Sequence, residues 1–438
     1  MYHFIGIKGS GTSALAQVMK KLNYDVQGSD IEKHLFTQIG LDKLGIKILP
    51  FNKDNIKKGQ TIIRGTTFND DNEEVKRAKE LNLTIYDYPE FLGKLTKEFK
   101  TIAVCGTHGK TTTTSIVSHV LKNTIGCNYL IGDATGDASF GNKYFVIEAC
   151  EYQKHFLNYE PTYTIITNIE LDHVDCYENI EEIIKTFDEF ANKTKSKVIA
   201  CGDDKNVRKL TCPNIIYYGF DENNDVVAKN ISLTEKGSSF DCYINNKLFG
   251  RFTTNLYGKH NILNALSCIY LCQELGLSFE DINKYLQNFK GANRRFSEYV
   301  IGSNVIIDDY AHHPTEIKSV ISAVKQKYPS KKLVTIFQPH TFSRTKEFQQ
   351  ELIDIFKKVD KAYFTQIYKS REKQEDFPDI KINILTDKIP SSEVITLDDY
   401  NVFKDYKDTV ILIMSPNDLN TLVSGIINAL KEEQLVTN

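Results

Sequence analysis

The stretch VCGTHGKTTTT, Val104 to Thr114, constrains the fold more than any other part of the chain. It closes the apolar run TIAV and leads into SIVSHVLKN, whose apolar residues recur at helical spacing. A strand that turns through glycines into a helix leaves backbone N–H groups pointing into the turn and adds the positive end of the helix, which together make an anion site. Gly106, Thr107, His108, Gly109, Lys110, Thr111 and Thr112 therefore read as a phosphate loop. Lys110 would reach the β and γ phosphates of a nucleoside triphosphate, and the Thr111 hydroxyl would ligate Mg2+. The longer GxxxxGK[ST] spacing is not met, because Val104 stands where its first glycine would be. Lys110 is expected to work in solvent-accessible space, outside the core.

Around this unit, short apolar runs alternate with helical segments: YHFIGI then SALAQVMKKL near the start, YFVIEA and YTIITNI in the middle, NVIIDDYA, KLVTIFQP and TVILIMS near the end. Such alternation predicts parallel α/β sheets. The 438 residues exceed one ordinary core, and at roughly 150 residues per domain they suggest about three. The expected boundaries are 1–97, 98–296 and 297–438. A formal net charge of -3 gives no broad electrostatic reason for a nucleic-acid or anionic-membrane partner, so small molecules are the expected ligands. No cationic, apolar leader opens the sequence and no apolar run reaches the ~20 residues of a membrane span, which points to the cytosol. Nine cysteines without CxxC spacing predict reduced, mostly buried thiols.

A triphosphate site needs oxygen ligands for its metal. Glu148 follows the strand-like YFVI, where a strand meets the crevice of an open sheet. TNIELDHVD supplies Asn168, Asp172, His173 and Asp175 after YTIIT. GKHNILNAL sets His260 and Asn261 before a helix and Asn264 on its first turn, within reach of a base.

Taken together, GTHGKTT, TNIELDH, GKHNILNA and RRF resemble the Mur ligase superfamily, whose members join a carboxylate to an amine using ATP and whose phosphate loop has this shortened form. GIKGSGTSALA, GSD, DDYAHHPTEI and QPHTFSRT are similar to the branch that joins UDP-N-acetylmuramate to L-alanine. The resemblance covers the chain in order. It implies a Rossmann-like N-terminal domain for the UDP-sugar, a central P-loop α/β domain for ATP, and a Rossmann-like C-terminal domain that closes over the amino acid. On this resemblance Gly9, Ser10 and Gly11 would hold the diphosphate, with Asp30 near the nucleoside. Lys110, Thr111, Glu148 and His173 would organise ATP and magnesium, the last three as metal ligands, while His260, Asn261 and Asn264 would lie near adenine. Arg295 and Asp309 would approach the nucleotide; His312, His313 and Arg344 would place the amino acid or the intermediate. The base that deprotonates the amine stays open between His312 and His313.

The chain departs from the family at MSPND, where a GxGD is usual: Ser415, Pro416 and Asn417 replace flexible positions and Asp418 is kept. Proline fixes φ and removes an N–H, whereas glycine lets backbone approach a ligand. L-Alanine is therefore expected to remain the best substrate with a narrower margin over glycine and serine. Two further readings stay open within this class: a ligase that recycles a murein peptide onto the same sugar nucleotide, and a nucleotide-binding relative that has lost catalysis. An NAD-dependent oxidoreductase fits poorly, since Gly6, Gly9 and Gly11 give GxxGxG and the phosphate loop would go unexplained.

Overall fold

Three sheets organise the computed structural model, which describes residues 1–173 and 176–437. The first sheet has five parallel strands in the spatial order Lys47–Leu49, Val26–Ser29, Tyr2–Ile5, Thr61–Arg64 and Ile85–Asp87. Strands this short and buried on both faces read as apolar runs: Phe4, Ile5, Ile62 and Ile63 are fully buried. The chain leaves Ile5 through the glycine turn and enters helix Ser10–Lys21.

The second sheet has ten strands. At its centre Lys100–Cys105 lies between Tyr144–Glu148 on one side and Tyr163–Ile166 on the other, both parallel to it. The chain visits one side and then the other, so this strand stands at a topological switch point, where open α/β sheets bind ligands beyond the carboxyl ends of their strands. Register decides what meets there. Val104 pairs with Glu148 and Cys105 with Ile166, which brings Gly106, Glu148 and Thr167 to one edge. Cys127–Ile131 and Thr135–Asp137 extend the sheet on one flank. Tyr163–Ile166 leads on the other flank through Lys197–Cys201 and Ile215–Gly219 to Val226–Thr234, Gly237–Ile244 and Lys247–Thr254.

The third sheet runs Ser297–Ile301, Asn304–Asp309, Thr409–Met414, Lys332–Phe337, Lys361–Phe364 and Ser392–Val394, parallel except for its first pair. Asp309 and Phe337 both register with Met414, so the loops after these three strands share one edge.

By packing, the chain forms two compact units. One comprises 1–231, 239–254 and 262–289, the other 232–238, 255–261 and 290–438. The first two sheets share a unit because helix Ser10–Lys21 lies directly on Thr135–Asp137: a Cβ on Gly136 would stand 2.1 Å from the Ala14 carbonyl, and Gln17 Nε2 donates to Ala134 O at 2.8 Å. Only glycine permits that approach. The nine cysteines are free thiols, seven of them buried, with Cys150 and Cys176 half-buried.

One charged group sits inside the first sheet's packing. Glu74 is fully buried, and its carboxylate accepts from the Ser29 hydroxyl, the Asn52 amide (3.1 Å) and Asn55 Nδ2 (2.8 Å), with His3 Nε2 at 3.4 Å. Burial works to raise its pKa, but the bonds from His3, Ser29, Asn55 and Asn52 outweigh it and hold Glu74 below the usual carboxylate range.

Candidate active site

Gly106 and Gly109 take φ of +136° and +82°, a region open to glycine and strained for other residues. A Cβ on Gly106 would run into the Thr167 hydroxyl at 2.0 Å, and one on Gly109 would meet Asn264 Oδ1 at 3.0 Å. The loop is shaped from the neighbouring strand. Asn168 accepts the His108 N–H (2.8 Å) and donates to its carbonyl (3.0 Å), while Thr107 exchanges hydrogen bonds with the Glu170 backbone. Asn168, singled out as a possible ligand, thus acts as a brace for the loop. Asp172 is buried and caps the His173 N–H at 2.7 Å. Asp175 lies outside the described residues.

Helix Lys110–Lys122 begins at Gly109. Threonine is a weak helix former, yet four open this one: Thr114 and Ser115 bond back to the carbonyls of Lys110 and Thr111, and Ile116, Val117, Val120 and Leu121 anchor the buried face. That anchoring aims Thr111 Oγ1 at Glu148 Oε1, 3.1 Å away.

Lys110 departs from expectation. Its side chain is only 14% exposed, and Nζ donates to Gly106 O (2.6 Å), Thr107 O (3.0 Å) and Glu151 Oε1 (2.8 Å). The lysine is therefore half of a buried ion pair. Burial opposes its charge, but the Glu151 carboxylate more than offsets this and keeps Lys110 above the usual lysine range. Burial likewise works to raise Glu151, and Lys110 and His173 together hold it below the usual carboxylate range. His173, at φ +53°, brings Nε2 to 3.5 Å from Glu151 Oε1 and packs its ring on Tyr152. Glu151 Oε2 is buried with no hydrogen-bond partner among the described residues. Sequence reasoning passed over Glu151; its signal was a second acid three residues beyond Glu148 in IEACE.

Gly9, Ser10 and Gly11 form a partly exposed turn into the first helix. Asp30 does not face outward as a free ligand: its carboxylate accepts the Lys8 N–H (2.6 Å) and the Ile31 N–H (2.8 Å) and fixes the loop after the second strand. Tyr88 packs against this turn. A Cβ on Gly11 would stand 2.7 Å from its hydroxyl, and its pKa is raised by burial and then by the charges of Cys150 and Glu148.

In the second unit, His312 Nδ1 lies 3.1 Å from Tyr310 O and 3.3 Å from Glu316 Oε2. Its ring centroid is 5.8 Å from that of His340, which in turn meets Arg344 Nη1 at 3.0 Å through Nδ1. His340 was the unremarked residue of QPHTFSRT. His313 turns away from this group: 4% exposed, it caps helix Pro314–Lys327 by accepting the Thr315 N–H, and its ring packs edge-on against Phe348. Arg295 lies over the Tyr310 ring and 3.8 Å from Glu316; Asp309 accepts the Phe296 and Ala311 N–H groups, and burial pushes its pKa up.

Arg294, the other arginine of RRF, explains the MSPND loop. Its guanidinium donates to the carbonyls of Ser415 (2.9 Å), Pro416 (3.3 Å) and Asn417 (2.6 Å). Gln338 Oε1 accepts from the Ser415 hydroxyl and Asn417 Nδ2. The loop is held by side chains. His260 stands against Gly258, and burial lowers its pKa to about 4, so its ring is neutral near pH 7. Asn261 Nδ2 donates to Tyr257 O, and Asn264 reaches the phosphate loop at Gly109.

Three family models match the chain: the Mur ligase family catalytic domain over residues 1–100, the Mur ligase middle domain over 104–272, and the Mur ligase glutamate ligase domain over 294–422. Among solved structures, the UDP-N-acetylmuramate-alanine ligase MurC of Thermotoga maritima is 28% identical, with 98% of this chain and 99% of that chain covered at a TM-score of 0.80. A murein peptide ligase of Psychrobacter arcticus, 23% identical, shares the fold over 98% of both chains at 0.72. A MurF ligase of Thermotoga maritima in complex with ADP, 18% identical, does so over 87% of this chain and 97% of that one at 0.65. No helix among the described residues is long and apolar enough to cross a membrane.

Proposed function

Because the chain belongs to the Mur ligase family of ATP-dependent amide ligases, with that family's three-domain architecture, we propose that it joins the lactyl carboxylate of UDP-N-acetylmuramate to L-alanine. The observation that carries this reading is the presence of two anion-type loops in one compact unit, Gly9–Gly11 and Gly106–Thr112. That arrangement suits an enzyme that must bring a sugar nucleotide to a triphosphate.

The residues present fit ATP and magnesium. The positive-φ glycines carry the loop into the helix start without a side chain of their own, and Thr111 Oγ1, Glu148 Oε1 and the Glu151 Oε2 that has no hydrogen-bond partner among the described residues supply oxygen donors, the chemistry that Mg2+ selects. Thr111, Glu148 and His173 would hold the metal, which when bound would offset charge on the phosphoryl group. Lys110 would exchange its loop carbonyls for phosphate oxygens. A carboxylate oxygen attacks the γ-phosphorus, the bond to the β-phosphate oxygen breaks, and ADP leaves. The amine nitrogen then attacks the acyl carbon, phosphate departs, and the amine proton goes to a base. Of the two histidines considered, His312 is the proposed base, since His313 is committed to its helix cap. The His312, His340 and Arg344 group is the proposed amino-acid site.

A phosphate-release screen of the twenty amino acids, and of the murein tripeptide, with UDP-N-acetylmuramate and Mg-ATP tests this. L-Alanine should give the fastest release. Release with the tripeptide alone would make the protein a recycling ligase, and binding of both nucleotides without any release would make it a non-catalytic relative.

The same assay checks the loop. One methyl group is worth roughly 1 to 3 kcal/mol in a fitted pocket, so small changes in loop position alter selectivity. Glycine at both Ser415 and Asn417 removes the bonds to Gln338 and is expected to widen the L-alanine to glycine ratio in kcat/KM by about fivefold to tenfold, at the lower end of that methyl range. An unchanged ratio would take amino-acid choice away from this loop.

A further inference from the structure

Lys8 lies in the first glycine turn, between Gly6 and Gly9, and is only 4% exposed. Four bonds tie it to the segment after the second strand. Its N–H donates to Asp30 (2.6 Å), its ammonium donates to Ile31 O (2.8 Å) and Lys33 O (3.0 Å), and its carbonyl accepts from the Thr37 hydroxyl (2.5 Å). The Ser13 hydroxyl donates in turn to Thr37 O at 2.7 Å. Residues 30–37 are thereby stitched along the turn that opens helix Ser10–Lys21.

The ammonium is engaged only by neutral carbonyls, and no carboxylate among the described residues comes within 4.0 Å of it. A buried cation is costly to keep without a counter-charge. Two of its three N–H donors are used, and the turn that carries it already presents the positive end of a helix. The Asp30 carboxylate is committed to the Lys8 and Ile31 N–H groups, and no acid among the described residues is paired with the ammonium itself. A bound anion would supply that counter-charge.

We infer that Lys8 is a ligand-binding residue that neutralises the diphosphate of a nucleoside diphosphate sugar while its bonds to residues 30–37 hold one wall of that pocket. The inference rests on the sugar-nucleotide reading of the N-terminal turn proposed above and adds to it the residue that supplies the charge. A strap with no ligand contact would serve packing alone, so charge and salt dependence separate the two roles.

Calorimetric titration of the full chain with UDP, UDP-N-acetylmuramate and ATP, at low and moderate salt, tests it. Lys8→Met should weaken UDP and UDP-N-acetylmuramate by about 30-fold or more, as expected for losing a charge-assisted contact, and flatten the salt dependence seen in the wild type. ATP affinity should stay within about twofold, and Lys8→Arg should retain binding to within about fivefold because it keeps the charge. Cooperative melting verifies folding; should Lys8→Met not fold, Lys8→Gln takes its place. Unchanged UDP affinity in the neutral variant, or equal loss in Lys8→Met and Lys8→Arg, would overturn the role of the charge while leaving the sugar-nucleotide site standing. A wild type that bound neither UDP nor UDP-N-acetylmuramate would overturn that site and this inference together.

Discussion

Lys110→Ala is expected to remove turnover and, separately, to destabilise the protein. Losing one preorganised charge from phosphoryl transfer should cost about 3 kcal/mol or more, a drop of at least about 100-fold in phosphate release. The second effect comes from the partner. Glu151 is 4% exposed at its side chain, and without Lys110 it becomes a buried carboxylate with His173 as its remaining charged-group partner among the described residues. Breaking a buried pair from one side typically costs about 3 to 5 kcal/mol. The two effects separate in the double variant Lys110→Met, Glu151→Gln, which removes both charges: its melting temperature should recover toward the wild type while phosphate release stays absent. Near-normal release by either variant would remove Lys110 from the chemistry.

Glu74→Ala carries the largest expected loss of stability without touching the proposed site. The substitution leaves Ser29, Asn52, Asn55 and His3 without their common acceptor inside the first sheet, at a cost of about 3 to 5 kcal/mol. Hydrogen exchange of strands Tyr2–Ile5 and Val26–Ser29 reads this locally, which matters because a chain of several domains need not unfold in one step. Protection there should fall by about two to four powers of ten, at 1.4 kcal/mol per tenfold, with the third sheet unaffected. The wild type should show the matching pH dependence. Because Glu74 is held below its unfolded pKa, the unfolded state binds more protons, so this contribution is complete above the unfolded carboxylate value of about 4.3 and is lost as pH falls below it. Protection of the first sheet that stayed constant from pH 6 to pH 3 would contradict this.

Both results depend on pairings that lie far apart in the chain, and that distance marks the limit of what a sequence can show. The glycine turn into helix Lys110–Lys122 was legible because its parts are local. Glycines at 106 and 109, a lysine at 110 and a threonine at 111 make a turn, a cradle and a helix start within one short stretch, and a strand and a helix must flank it for the pattern to make sense. Alternating apolar runs likewise specified α/β sheets, since strand and helix periods are properties of neighbouring residues. Glu148 could be placed because a strand end is a local event.

Tertiary structure decided everything that needed a partner. Lys110 and Glu151 are 41 residues apart, His3 and Glu74 are 71 apart, and Arg294 and Ser415 are 121 apart. No periodicity links such positions; sheet order and register do. The same holds for the sorting of the adjacent histidines: His312 and His313 are alike in sequence, yet one joins His340 and the other caps a helix. A side chain's neighbours along the chain set its local conformation, whereas its charge state and its work depend on groups that only the folded sheets bring beside it.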